Sequence, residues 1–181
     1  SSRPGGQGSL DIWYLPKTDS ENAVPINIGA QINTKQSESQ PTVSKNKTLF
    51  YTGNVEGKLY NRGIYFSTYE NGDYNEPMLL AAPINIMDTL ILDYTPFIAA
   101  DESYLLFCSN RQNPEIELCH IYISVKNKNG DWGEPIDLSK KMGFTRSSKF
   151  PYITPDGKFL FFSSGENLYW IDSKVLELDN E

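Results

Sequence analysis

Histidine is almost missing from this chain of 181 residues: His120 stands alone. One imidazole cannot build a multi-His metal site, and no G-x-S-x-G segment supplies the strained turn of a hydrolase nucleophile. Neither a metal centre nor a Ser-His-Asp triad is expected, and no cofactor. Basic residues are short as well. Sixteen Lys and Arg stand against 23 Asp and Glu, a net charge of −7, which argues against a nucleic-acid surface and against docking on anionic lipid. No apolar run approaches the roughly 20 residues of a spanning helix, so no membrane insertion is expected. The polar, Gly-rich stretch 1–8 does not read as a signal peptide.

Aromatic residues, by contrast, make up 13% of the chain and cluster in short segments. Those segments repeat. Pro41, Pro96 and Pro151 lie 55 residues apart, and each precedes a short turn and then an aromatic-rich run. A period of about 40–55 residues holding several short strands is the mark of a β-propeller blade. Each repeat reads as four strands. The first begins at the proline (Pro41–Ser44, Pro96–Ala99, Pro151–Thr154). The second is apolar on both faces (Thr48–Thr52, Tyr104–Ser109, Phe159–Ser164), as a strand sandwiched between neighbouring sheets requires. The third runs over Gly63–Thr68, His120–Val125 and Leu168–Ile171, with Leu10–Leu15 as its copy near the start. The fourth follows an Asn-Gly turn (Asn71-Gly72, Asn129-Gly130) and a proline (Pro77, Pro135) suited to an outer edge. Helix content should be close to nil.

The expected fold is therefore all-β, about three and a half four-stranded blades: the end of one over 1–36, full blades over 37–90 and 91–146, and an incomplete last blade over 147–181. Such an arc cannot close a ring, since closed propellers usually have 4–8 blades. Either the remainder of a six-bladed propeller or a second copy is expected to complete it, with the C-terminal part of a longer propeller favoured.

The segments S-S-R-P-G-G-Q-G-S-L-D-I-W (1–13), N-I-G-A-Q-I-N-T (27–34), S-E-S-Q-P (37–41) and T-P-D-G-K-F-L-F-F-S-S (154–164) resemble the WD-like repeats of the Pro-Asp type found in TolB-like propellers. G-D-W-G-E-P (130–135) and N-L-Y-W-I-D-S-K-V-L-E (167–177) resemble the last blade of such proteins. The resemblance implies a periplasmic or cell-surface protein of bacterial type, most often a binding scaffold for a protein, peptide or glycan. Two alternatives stand beside it: a carbohydrate-active enzyme, lyase or hydrolase, using channel carboxylates, and a regulatory propeller of a larger enzyme. Repeat 37–90 departs from the pattern, with Lys45-Asn46-Lys47 in place of the Asp-Gly turn.

The candidate ligand site is a channel mouth. Glu38 and Asp93 occupy equivalent places three residues before the repeat proline, where the chain enters the innermost strand. Tyr94, Arg111, Arg146, Phe150 and Tyr152 lie in the same or adjoining connections. Carboxylates, guanidinium groups and aromatic faces around one opening can hold a peptide terminus, a sugar or a cation. Acidic residues beside a turn also satisfy backbone N–H groups, which gives the same residues a purely structural reading. Cys108 and Cys119 end and begin successive strands, nearly opposite one another. A cross-strand disulfide and a pair of packed thiols are both compatible with that placement.

Overall fold

The computed structural model describes residues 1–17, 22–56, 62–116 and 118–177. The described residues form four antiparallel sheets in chain order. The first pairs β1 (Trp13–Tyr14) with β2 (Ile26–Asn27). The second has four strands, β3 (Ser39–Val43), β4 (Leu49–Gly53), β5 (Gly63–Ser67) and β8 (Met78–Leu79), and between β5 and β8 the chain forms a separate two-stranded hairpin of β6 (Tyr69–Glu70) and β7 (Asp73–Tyr74). The third is β9 (Asp93–Ile98), β10 (Tyr104–Ser109), β11 (His120–Val125) and β12 (Ile136–Asp137). The fourth is β13 (Ser148–Ile153), β14 (Phe159–Ser164) and β15 (Asn167–Asp172). The helical elements are one four-residue α-helix, α1 (Leu138–Lys141), and 3₁₀ turns at Pro114–Ile116 and Ser173–Leu176.

The core lies between the sheets, and the alternation of side chains along each strand builds it. On β10, Leu105 and Phe107 face the second sheet and join Phe50 and Ile64. Leu106 and Cys108 point the other way and join Leu160 and Phe162 of the fourth sheet. On β4 the same rule sends Leu49 and Tyr51 toward Ile12 and Ile32, which flank the first sheet. Both faces of the middle sheets are thus buried, which explains the unbroken apolar runs in the sequence. Among the described residues, the fourth sheet is covered on one side only. By register, Leu168 and Trp170 of β15 correspond to Ile121 and Ile123 of β11, which are buried. Leu168 and Trp170 are 72% and 61% exposed.

The innermost strands begin earlier than expected. Each contains its proline, at a β-bulge where pairing with the next strand shifts. A proline within a strand is tolerated there because the bulge leaves a residue outside the ladder. The residue before it, Gln40, Thr95 or Phe150, sits at φ of 52°, 50° and 57°. The turns that follow repeat as well. Lys47 (φ 66°) and Glu102 (φ 61°) take the left-handed conformation that Gly157 (φ 72°) adopts without steric cost. The missing Asp-Gly in the second sheet therefore changed the residue and left the turn intact.

Candidate functional site

The three bulges bring equivalent triplets to one place. Gln40-Pro41-Thr42, Thr95-Pro96-Phe97 and Phe150-Pro151-Tyr152 line a single groove of about 260 Å³ along the inner edges of β3, β9 and β13. Cross-sheet bonds hold the strands together: the Thr95 N–H donates to Thr52 Oγ1 (2.9 Å). Phe97 and Tyr152 meet edge to face at 5.7 Å. Phe150 and Tyr152 remain 51% and 49% exposed, so two aromatic faces are presented to the groove. Residues pinned by a repeated bulge on packed strands make a rigid, partly apolar recess suited to binding.

Of the sequence-derived candidates, only Phe150 and Tyr152 line this groove. Glu38 and Asp93 are buried, at 3% and 0% exposure, and perform one structural task in two repeats. Asn33 and Asn85 each bond like a strand residue to the third strand: the amide of Asn33 pairs with Ile12 N–H and C=O, and that of Asn85 with Ile64 N–H and C=O. The N–H of the following residue then donates to the carboxylate, Thr34 to Glu38 (3.0 Å) and Ile86 to Asp93 (2.9 Å). Sequence reasoning missed the asparagines, although Ile-Asn recurs at 32–33 and 84–85. Ser139 takes over part of the role in the third sheet, accepting from the Ile121 N–H at 2.8 Å.

Asp93 is joined by one other candidate. The Arg111 guanidinium donates to Asp93 Oδ1 (2.8 Å), to the carbonyls of Pro83 and Ile84, and to Ser109 Oγ. It lies 5.0 Å from the centroids of both Phe107 and Tyr122. Tyr94 borders a separate recess with Leu10, Gln40 and Arg62. Arg146 is exposed, and its carbonyl accepts from Ser148 Oγ. The candidates thus do not share one mouth. Asp93 and Arg111 lock the interface of the second and third sheets, Glu38 borders the interface of the first and second, and the aromatic pair faces the inner groove.

Cys108 and Cys119 are buried thiols that are not joined in a disulfide. Cys108 stands opposite Ile121 in the ladder, so Cys119 falls two places beyond it and no disulfide forms. Burial pushes the Cys108 thiol up to about 12. His120 Nδ1 lies 2.7 Å from Asp137 Oδ2, and Asp137 also caps α1 by accepting the Lys140 N–H. That bond fixes the ring in a buried position at the start of β11.

No family model matches the chain, and no curated protein does. Among solved structures it is similar to the crystal structure of TolB from Acinetobacter baumannii, with a TM-score of 0.53 and 16% identity over 86% of this chain. The match covers 33% of that TolB chain, so the chain spans about a third of the length of its structural neighbour. The likeness is one of fold, a TolB-like β-propeller architecture.

Proposed function

We propose that the chain is part of a non-catalytic binding propeller of the bacterial cell envelope, and that its inner groove takes up a segment of a protein or peptide. The observation that carries this reading is the groove itself. Three equivalent X-Pro-X bulges converge on it, and Phe150 and Tyr152 offer half-exposed aromatic faces there. Aromatic side chains held on a rigid scaffold provide contact area at little cost in side-chain entropy, as binding hot spots do. Of the carboxylates considered for catalysis, Asp93 supports this reading by being taken up by the Ile86 N–H and the Arg111 guanidinium.

Ring closure belongs to the same proposal. The outer face of the fourth sheet repeats the face that the third sheet buries, so a further sheet of the same build covers Leu168 and Trp170 in the complete protein. The binding reading is tested by panning a random peptide library against the immobilised chain and against Phe150→Ala/Tyr152→Ala. Peptides retained by the first and lost by the second are expected. Enrichment indifferent to both substitutions, or turnover of oligosaccharides by the full-length protein, refutes it.

A further inference from the structure

The chain contains its own template for a second site. In the third sheet, stacked Phe107 and Tyr122 (centroids 5.9 Å apart) carry the Arg111 guanidinium, which pairs with Asp93 and donates to the Pro83 and Ile84 carbonyls. In the fourth sheet the equivalent pair, Phe162 and Tyr169 at 5.7 Å, is capped by the edge of Phe144. The second sheet has the same pair again, Tyr51 and Tyr65, stacked at 5.7 Å and 17°. Strand register aligns Val55 with Arg111, so the position that supplies the arginine in the third sheet holds an apolar side chain here.

What stands over Tyr51 and Tyr65 is a cleft of about 290 Å³ between the first and second sheets. Its lining repeats the surroundings of Arg111 residue by residue. Glu38 corresponds to Asp93. Gln31 and Ile32 correspond to Pro83 and Ile84 in a turn of the same bonding, in which Gly29 C=O accepts from the Ile32 and Asn33 N–H groups as Ala81 C=O accepts from those of Ile84 and Asn85. Ser109, which accepts from Arg111 Nε, is replaced by Gly53, and a Cβ there would come within 2.9 Å of the Tyr65 ring. Glu38 is 97% removed from solvent; its carboxylate accepts from the Thr34 N–H (3.0 Å) and hydroxyl (2.6 Å), and the rim residue Glu76 accepts from Gln31 Nε2 (2.7 Å), but the ion pairs formed among the described residues leave both carboxylates without a cation. The negative field is felt locally: the Tyr51 hydroxyl is pushed well above its usual pKa, first by burial and then by Glu38, Tyr65 and Glu76.

We infer that this cleft is a receptor for the guanidinium of an arginine side chain presented by a partner, seated as Arg111 is seated in the next repeat. The planar cation stacks on the tyrosines, pairs with Glu38 and donates to the Gln31 and Ile32 carbonyls, with Glu76 attracting it from the rim. The inference is independent of the inner groove.

The test is titration of the ¹⁵N-labelled chain with N-acetyl-arginine methylamide, followed by NMR shifts of Tyr51, Gly53 and Tyr65, with the citrulline and lysine analogues as controls. The arginine probe is expected to bind at least about tenfold more tightly than citrulline, which has the shape without the charge, and more tightly than lysine, which cannot stack as a plane. Rising salt should weaken it. Glu38→Gln should cost about tenfold in affinity, and Glu76→Gln, at an exposed position that leaves folding untouched, about two- to threefold. Val55→Arg should fill the cleft from within and abolish binding, while Phe150→Ala should leave it unchanged. Equal binding of the citrulline or lysine analogue, or no shift at these residues, overturns the inference.

Discussion

Removing the guanidinium of Arg111 should be among the most damaging single changes in the molecule. Its partner Asp93 has no solvent exposure, and Arg111 itself is only 12% exposed. Truncating one member of a buried pair leaves an uncompensated charge and costs about 3–5 kcal/mol. In Arg111→Met the aromatic sandwich with Phe107 and Tyr122 keeps an apolar chain, but the bonds to the Pro83 and Ile84 carbonyls disappear as well. We expect a loss of about 4 kcal/mol; with a urea slope of about 2 kcal/mol/M the midpoint should fall by about 2 M. Asp93→Asn added to Arg111→Met should restore part of that loss, because the orphaned charge goes while an amide oxygen can still accept the Ile86 N–H. The assay is urea unfolding of the wild type, both single variants and the double variant. A double variant whose loss equals the sum of the singles to within about 0.5 kcal/mol would show that the two groups act independently, and would refute the reasoning.

Other predictions follow from the same contacts. Glu102 accepts from Ser44 Oγ (2.8 Å), Thr48 Oγ1 (2.7 Å) and Lys126 Nζ (3.2 Å), tying the second sheet to the third. Burial raises its pKa, but these bonds together outweigh burial and hold the carboxyl below its ordinary value. A depressed folded pKa gives stability that is present above the unfolded value and lost as pH falls through the folded one. Glu102→Gln should therefore cost about 1 kcal/mol at pH 7 and progressively less as the pH drops below about 4, and a cost unchanged at pH 3 in urea titrations would contradict this. Gly157→Ala should destabilise by about 1 kcal/mol through backbone strain alone, because φ is 72° and open space surrounds the missing Cβ; thermal melts read the effect directly. Both thiols should resist thiol reagents in the folded chain and react fully on unfolding without reductant, whereas a mass two protons lower would reveal a disulfide.

The strand framework was legible because packing on both faces writes itself into composition. Tyr104–Ser109, Phe159–Ser164 and His120–Val125 have the bounds that their apolar runs imply. Proline lacks the N–H of a ladder residue, so sequence alone places the start of each inner strand at its proline. The bulge removes that objection, and nothing local to Gln40, Thr95 or Phe150 advertises a left-handed backbone. Lys47 and Glu102 hide the repeated turn for the same reason: a residue that tolerates the conformation at some cost looks, in sequence, like a residue that avoids it.

The candidate site was less legible, since residue type shows neither which face of a strand a side chain takes nor what already occupies it. Glu38 and Asp93 hold equivalent places in their repeats, yet equivalence fits a ligand and a backbone N–H alike; the recurrence of Ile-Asn upstream of each carboxylate gives the backbone its prior claim. Residual chemistry then shows in the differences between repeats. All three aromatic pairs keep the same geometry, one capped by arginine and one by phenylalanine, while the third pair, beside a buried glutamate, has no such cap among the described residues. A repeat that keeps the walls of a cation seat without a cation of its own leaves room for one from outside. Here Glu38, Tyr51 and Tyr65 stay buried or stacked around an open cleft, so the walls have not relaxed.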